Sequence, residues 1–330
     1  VGYEIQIRLA KALVPTAHYD RGYHPTATTG VMAAAAAAGK VLGLDADGIE
    51  SALGIALSQA AGSMQFLADG AWTKRSHVGQ AAQNGLTCAT LAAEGFKGPK
   101  EAIEGKWGFL HSLSPKADLD KAAANLGDYW ETMALGVKPY PSCRYTHAAM
   151  DAIRQLAGEH GISADNVDSA TIGVPETGWK IVGNSDAEKQ NPKSIVDGQF
   201  SMPFCAAVVL RTGNMVWDDY KTHLSDADTL ALAKRVSTVV DPEAEAAFPD
   251  NMAGKATIRM KTGEVYERFV EIPKGEPANF MNQAEFRAKF DGLCAPYLSE
   301  EGMERFSCAL LNLEEANSLR SVLALSRGDA

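Results

Sequence analysis

The sequence predicts a protein of two domains, one built from helices and one that combines helices with a few strands. Its 330 residues, 46% of them hydrophobic, are enough to bury a large core and to form two domains. Apolar residues recur with a helical period over residues 1–70, whereas they alternate as in strands over residues 167–174 and 255–272. The predicted class is therefore α and α+β, with a multihelical domain and an α+β domain.

Helices are predicted throughout the first part of the chain. The helical pattern opens at the first residues with no capping residue before it, so we expect the chain to begin inside a domain. Thr28 or Thr29 is expected to cap the next helix, in which six consecutive alanines at residues 33–38 predict close packing against a neighbour. Asp45 or Asp47 is expected to cap the helix after that.

A Gly-bounded segment, residues 68–79, concentrates cations in a chain whose net charge is −10. Ser76 is expected to cap a helix over residues 80–94, and a helix N-terminus offers N–H groups and partial positive charge. The basic side chains of this segment are Lys74, Arg75 and His77. The segment therefore predicts a place where a small polyanion binds, and a solvated loop with terminal charges is the alternative.

The second half of the chain mixes both periods. Helices are predicted over residues 147–159 and 226–240, and a strand over residues 167–174. Two alternating runs around residues 262–264 predict a β-hairpin. Asn282 with Glu285 predicts a helix that opens with a capping box.

The bulk composition excludes several classes of function. A net charge of −10 and a pI near 5.2 argue against nucleic acid or an anionic membrane as a partner. Five cysteines without paired spacing indicate a reducing compartment, with no disulfide framework and no metal site. No apolar run is long enough to span a membrane, so we expect a cytoplasmic protein. Phosphate-binding and dinucleotide-binding glycine motifs are missing, so no cofactor is indicated.

Two further polar clusters stand in predicted loops. The first contains His18, Tyr19, Arg21 and His24, for which hydrogen bonding within the loop is the alternative to catalysis. The second precedes the helix predicted at residue 147 and contains Cys143, Arg144, Tyr145 and His147. Cys143 is expected to be a structural thiol. The remaining histidines are expected at the surface: His111, His160 and His223.

Taken together, these clusters resemble the MmgE/PrpD family. The motifs that carry the resemblance are GYHPTAT at 22–28, SQAAG at 58–62, FLADG and TKRSH within 66–77, KPYPSCRYTH at 138–147 and QFSMPF at 199–204. The family includes 2-methylcitrate dehydratase, cis-aconitate decarboxylase and iminodisuccinate epimerase. The resemblance implies a helical domain of residues 1–70 and 278–330 with an inserted α+β lid of residues 71–277, and an active site in the cleft between them.

The resemblance also implies a chemistry without cofactors, in a homodimer, on a small di- or tricarboxylate. This chemistry begins with removal of a proton from carbon next to a carboxylate. The implied catalytic residues are Lys74, His77, His24 and Tyr19. The implied substrate-binding residues are Arg75, Arg144, His147, Thr73, Ser76 and Tyr145.

Several reaction outcomes remain open at this point. Dehydration is the first expectation, and decarboxylation or epimerisation of a similar substrate are the alternatives. Family members carry a further N-terminal helix with a His-Ala-x-Asp-Phe-Asp-Asp-type motif, which is not found in this sequence. An inactive fragment or a helical interaction module is therefore the alternative from another class.

Overall fold

The computed structural model describes residues 1–68, 71–184 and 186–327 and divides the chain into two compact units, Val1–Leu135 and Gly136–Ala330. The described part of the first unit is helical, and the second combines helices with a sheet. The predicted class, α and α+β in two domains, is therefore confirmed.

Seven helices lie in the described part of the first unit. They are α1 (Gly2–Ala12), α2 (Pro15–Asp20), α3 (Pro25–Val41), α4 (Ala46–Leu57), α5 (Thr73–Ala93), α6 (Phe109–Leu113) and α7 (Asp120–Ala123). A turn of 3-10 helix, Met64–Leu67, precedes α5. Helix α3 packs against α1, α4 and α5, and its alanines lie in the centre of this unit.

The contact between α3 and α5 is made by small residues. Gly85 of α5 faces Ala34 and Ala35 of α3, and a Cβ added to Gly85 would lie 2.6 Å from the Ala35 nitrogen. One helical repeat earlier, Gly30 of α3 faces Ala81 of α5. The paired residues advance in the same direction along both helices, so α3 and α5 run parallel. The close packing predicted for the alanine run is confirmed.

The starts of two helices differ from the prediction. Helix α3 begins at Pro25 with His24 as its N-cap, because proline is favoured in the first turn, and Thr29 instead donates to the Pro25 carbonyl at 2.7 Å. Helix α5 begins at Thr73, so Ser76 is not its cap and donates to the Thr73 carbonyl at 2.8 Å. Asp45 caps α4 as predicted, accepting from the Gly48 N–H.

The second unit contains the rest of the helices and all the strands of the described chain. Its helices are α8 (His147–His160), α9 (Glu176–Val182), α10 (Asp186–Lys189), α11 (Ile195–Gln199), α12 (Met202–Thr212), α13 (Asp219–His223), α14 (Ala227–Ala233), α15 (Pro242–Ala247), α16 (Gln283–Cys294), α17 (Glu300–Leu311) and α18 (Leu319–Ala324). Its strands are β1 (Val167–Val174), β2 (Val236–Val240), β3 (Gly254–Met260) and β4 (Val265–Val270).

The strands form one sheet in the order β2-β1-β3-β4, in which β1 and β2 are parallel and the other pairs antiparallel. Helix α8 packs against β3 and β4, and α12 packs against α8, α14 and β2. All but the last two residues of α12 are buried, so this helix forms the centre of the second core.

Most of the elements predicted for this half are confirmed. Helix α8 ends where Gly161 adopts a left-handed conformation, and the hairpin β3–β4 turns where it was predicted. Asn282 and Glu285 form the predicted capping box of α16. The helix predicted over residues 226–240 is wrong in its second half, because the β-branched run Val236–Val240 pairs with β1 as strand β2.

The division into units differs from the predicted domains. Helix α5 was assigned to the lid from residue 71 onward, but it packs on α3 and α4 and so belongs to the first unit. Residues 278–330 were assigned to the helical domain, yet they are grouped with the second unit. Lys289 of α16 donates to the Lys138 carbonyl, and Glu285 pairs with Lys274, which accounts for this grouping.

Across the described residues, no helix combines the length and the apolar character that crossing a membrane requires.

The contact between α3 and α5 yields a prediction about two glycines of the same helix. Glycine to alanine in a helix interior ordinarily stabilises by up to about 1 kcal/mol. Gly79→Ala should follow this rule, since nothing lies within 4 Å of the added Cβ. Gly85→Ala should instead lower the free energy of unfolding by about 1–3 kcal/mol, because the Cβ overlaps α3.

Urea denaturation of the two variants beside the wild-type chain measures both effects. Equal stabilisation by Gly85→Ala and Gly79→Ala would show that α3 and α5 do not approach as closely as described.

Candidate active site

His24 is positioned by the start of α3 and by the segment before the Met64–Leu67 turn. As the N-cap of α3 it has an extended backbone, and its N–H donates to the Gly62 carbonyl at 2.9 Å. Gly62 has a φ of +139°, and a Cβ there would overlap Ala27. Glycine tolerates this positive φ and has no Cβ to overlap Ala27, so Gly62 lets this segment lie against the start of α3.

His24 and His77 form a buried pair. Their Nδ1 atoms lie 3.1 Å apart, and each residue is 8% exposed. Phe66 contacts both rings edge-on, with centroid distances of 6.0 Å to His24 and 5.9 Å to His77. His77 faces α3 from the second turn of α5, so the packing of these two helices brings the imidazoles together.

Burial keeps both imidazoles neutral at pH 7. Desolvation is the largest cause that lowers the pKa of His24 to about 4, and the positive charge of Lys74 and the adjoining His77 imidazole add to it. Desolvation also lowers the pKa of His77. The Lys74 ammonium lies 5.7 Å from the centroid of the Phe66 ring, in a cation–π position one helical turn before His77.

The pairing of two Nδ1 atoms restricts the protons of a neutral pair. One Nδ1 must carry the hydrogen and donate, and the other must accept with its lone pair. The donating imidazole then has a bare Nε2, and the accepting imidazole has an Nε2–H. The pair therefore holds one base and one acid. The two roles exchange when the bare Nε2 gains a proton, the shared proton crosses between the Nδ1 atoms, and the other Nε2 loses its proton.

His18 has a structural role rather than a place in this pair. It is fully buried, its Nδ1–H donates to the Leu113 carbonyl at 3.0 Å, and its Nε2 accepts from the Thr28 hydroxyl at 3.0 Å. Its ring stacks on Tyr23. These contacts connect α2, α3 and α6, so His18 bonds between helices rather than within a loop.

The other candidates of the first unit lie nearer the surface. Thr73, Arg75 and Ser76 are exposed in the first turns of α5, where the guanidinium of Arg75 lies over the Trp72 ring. Tyr19 is 47% exposed on α2. Lys74 and Arg75 add their positive charges to the partial positive charge at the N-terminus of α5. A bound anion would offset this excess of positive charge. Asp69 and Gly70, part of the FLADG motif, lie outside the described residues.

In the second unit, the loop before α8 is held mainly by hydrogen bonds that side chains donate to its backbone carbonyls. The Pro141 carbonyl accepts from the Gln199 amide at 3.1 Å and from the Tyr220 hydroxyl at 2.9 Å. The Ser142 carbonyl accepts from the Lys138 ammonium at 3.0 Å. This loop places Arg144, Tyr145 and His147 at the N-terminal end of α8.

Arg144 is half-buried and forms an ion pair with Glu276. Burial lowers the pKa of Arg144. A ligand carboxylate that binds this guanidinium must share it with Glu276 or replace Glu276, so the site is less open than the sequence implied. Tyr145 packs against Phe248, with ring centroids 6.3 Å apart.

His147 is fully buried and neutral. Its Nε2–H donates to the Ser142 carbonyl at 3.4 Å, and its ring meets Tyr140 edge-on. Burial, together with the charges of Lys138 and Arg144, holds the pKa of His147 well below its ordinary value. Its Nδ1 has no hydrogen-bond partner among the described residues, so it offers a lone pair rather than a positive charge.

Some contributing residues were not singled out from the sequence. Phe66 and Lys138 lie inside the motifs that carry the family resemblance, close in sequence to Lys74 and Arg144. That closeness is the sequence signal that could have identified them. Glu276, the partner of Arg144, is far away in the sequence and no local pattern indicates it. His223, expected at the surface, is instead buried and bonds Thr229, because α13 and α14 pack together there.

No cluster of three or more His, Cys, Asp or Glu side chains suited to a metal ion occurs among the described residues. Cys143 is half-buried and its N–H donates to the Gln199 carbonyl at 2.8 Å.

Comparison with known proteins gives relatives along the whole chain. The cis-aconitate decarboxylase-like protein oryM of Aspergillus oryzae is 28% identical, over all of this chain and 70% of its own length. The cis-aconitate decarboxylase of Aspergillus terreus is 27% identical, over 98% of this chain and 69% of its own length. The human cis-aconitate decarboxylase is 23% identical, over 99% of this chain and 68% of its own length.

The family comparison agrees with the two structural units. Residues 1–122 match the MmgE/PrpD N-terminal domain, and residues 140–315 match the MmgE/PrpD C-terminal domain. These two matches cover most of the sequence, and the chain therefore belongs to the MmgE/PrpD family.

Proposed function

We propose that this chain is a lyase for a small di- or tricarboxylate, in which the His24–His77 pair moves protons at carbon beside a carboxylate. The observation that carries the proposal is the buried pair itself. Two neutral imidazoles joined Nδ1 to Nδ1 at 3.1 Å hold one base and one acid near the ammonium of Lys74.

The arrangement suits the charge that develops in such a reaction. Carbon beside a carboxylate is a weak acid, and breaking a bond there leaves an electron pair that needs stabilisation. Lys74 supplies a fixed positive charge close to the pair, in surroundings dry enough to lower both imidazole pKa values. In the second unit, we propose that Arg144 binds a carboxylate in exchange with Glu276.

Decarboxylation is the favoured reaction, because the relatives described above are named cis-aconitate decarboxylases or decarboxylase-like. In this step the bond between carbon and a carboxylate breaks, carbon dioxide leaves, and the electron pair stays on the carbon skeleton. The Lys74 charge stabilises the carbanion until the Nε2–H of one imidazole donates its proton to carbon. The shared Nδ1 proton then moves to that imidazole, and the bare Nε2 of the other imidazole takes up a proton from solvent, so the pair stays neutral.

Dehydration is the second candidate, and the presence of both a base and an acid in one pair favours it. The bare Nε2 takes a proton from carbon, and the Nε2–H gives its proton to the departing hydroxyl, which leaves as water. This outcome was the first expectation from the sequence, with a substrate similar to 2-methylcitrate.

Proton NMR in deuterium oxide tests the proposal, with cis-aconitate, 2-methylcitrate and iminodisuccinate each added separately. We expect consumption of cis-aconitate with deuterium incorporated at carbon. Lys74→Ala should lower kcat at least about 100-fold, because it removes the charge that stabilises the carbanion. Lys40→Ala, at the exposed end of α3, is the matched control. The proposal is refuted if none of the three substrates shows turnover or deuterium exchange.

The histidines should behave as one unit. His24→Gln and His77→Gln should each lower kcat about 10²–10⁴-fold. Each substitution removes the Nδ1–Nδ1 hydrogen bond that leaves one Nε2 bare and the other protonated. The double variant should be no slower than the slower single variant, because the pair is already broken. Multiplicative effects measured in the same steady-state assay would mean that the two imidazoles act independently.

The pH dependence of kcat/KM reports the state of the pair. Removal of a proton from carbon needs a bare Nε2, which protonation of the pair abolishes. Dehydration or deuterium exchange should therefore fall at low pH through the pKa of His24, about 4 and well below the ordinary value of about 6.5, whereas decarboxylation, which uses the Nε2–H, should lack this acid limb. Lys74→Ala removes one cause of the lowered pKa, so its acid limb should move to higher pH. An acid limb near pH 6.5 in the wild-type chain would contradict the burial of His24.

A further inference from the structure

A cleft in the second unit lies outside the chemistry proposed above. It has a volume of about 410 Å³, within the usual range for small-molecule sites, and lies between the loop before α8, α8 itself and α16. Every described residue that lines it belongs to the second unit.

The charge of this cleft is opposite to that of the whole chain. Its basic side chains are Lys138, Arg154, Lys274 and Lys289, and Glu285 is the one carboxylate among the described lining residues. Glu285 lies 3.2 Å from the Lys274 ammonium and so offsets one of these charges. The lining keeps an excess of positive charge in a protein of net charge −10. Such a local excess attracts anions.

Lys289 is a cation of the lining whose ammonium is partly removed from water. Its ammonium is half-buried and donates to the Lys138 carbonyl at 2.6 Å, and no carboxylate of the described residues lies within ion-pair distance. Desolvation lowers the pKa of Lys289. An anion bound in the cleft would offset this desolvation.

Arg154 is held in place by groups that fix its guanidinium. Its Nε donates to the Gly213 carbonyl at 3.0 Å, and its Nη1 donates to the Tyr140 hydroxyl at 3.0 Å. The Tyr140 hydroxyl in turn donates to Asp151. A side chain fixed in this way loses little conformational freedom when a ligand binds.

One wall of the cleft is apolar and aromatic. Trp217 is 41% exposed, and Tyr220 supports its ring edge-on at a centroid distance of 5.8 Å. Val216 and Leu293 are further apolar residues of the lining. A flat apolar surface beside cations suits a ligand that has an apolar part and an anionic part.

We propose that this cleft binds an organic anion in which a carboxylate or phosphate is attached to a flat apolar group. The anionic group binds at Lys289 and Lys274, and the apolar group lies along Trp217. The proposal is independent of the lyase activity, since binding is measured without turnover.

Isothermal titration calorimetry of the full chain tests it with four probes. We expect saturable binding of 1-naphthyl phosphate or 1-naphthoate, and the tighter of the two identifies the anionic group. Inorganic phosphate, which lacks the ring, and 1-naphthol, which lacks the charge, should bind at least about tenfold more weakly. The absence of saturable binding by either aryl anion, or equal affinity for 1-naphthol, would overturn the proposal.

Two variants with opposite expected effects on affinity test where the anion binds. Lys289→Gln should weaken the aryl anion about tenfold, and Glu285→Gln should tighten it about threefold because it removes the opposing charge. Glutamine preserves the capping box of α16. Lys261→Gln, an exposed lysine in the β3–β4 turn, is the matched control.

A further variant separates charge from apolar contact. Trp217→Leu should weaken the aryl anions and leave inorganic phosphate unchanged. Circular dichroism of each variant checks that the fold is kept. Unchanged affinity of the aryl anions for both Lys289→Gln and Trp217→Leu would place the probe elsewhere and overturn the proposal.

Discussion

The close packing of α3 against α5 is the constraint on which the candidate active site depends. Gly85 and the alanines of α3 let the two backbones approach, since no larger side chain separates them. Because the helices run parallel and begin near each other, their first turns also meet. His24 at the start of α3 and His77 in the second turn of α5 are thereby held 3.1 Å apart, so a structural contact between small residues fixes a chemical one.

Burial then decides what the pair is able to do. Two imidazoles in water near neutral pH are partly protonated and separate readily, and a cationic pair would repel. Here desolvation and the nearby Lys74 charge hold His24 neutral, and Phe66 packs edge-on against both imidazoles. A neutral pair keeps one lone pair and one N–H at its two Nε2 atoms. The Lys74 ammonium that helps desolvation to keep His24 neutral is also the charge that the proposed reaction uses to stabilise a carbanion.

The second unit uses another principle, in which cations are fixed by neighbours before any ligand binds. Arg144 pairs with Glu276, and Arg154 is held by the Tyr140 hydroxyl. His147, at the N-terminal end of α8, is instead neutral and buried, and its Nδ1 is an acceptor. A carboxylate proposed to bind Arg144 would therefore have to exchange with Glu276.

The class of fold and the segments of the candidate active site follow from local patterns in the sequence. Helical and strand periods, the capping box at Asn282 and the motif around Lys74 depend on residues close together in the chain, and such patterns are visible before folding. The second half of the helix predicted over residues 226–240 failed because pairing with β1 overrode the local pattern.

Which of the candidate residues meet depends on how the helices pack. His24 joins His77, whereas His18 bonds Leu113 and Thr28 as a structural residue, although the same local composition surrounds both. The domain boundary likewise followed from the packing of α5 on α3 and α4. Contacts between residues distant in sequence, and the desolvation that shifts their pKa values, arise only when the helices pack, and no local pattern encodes them.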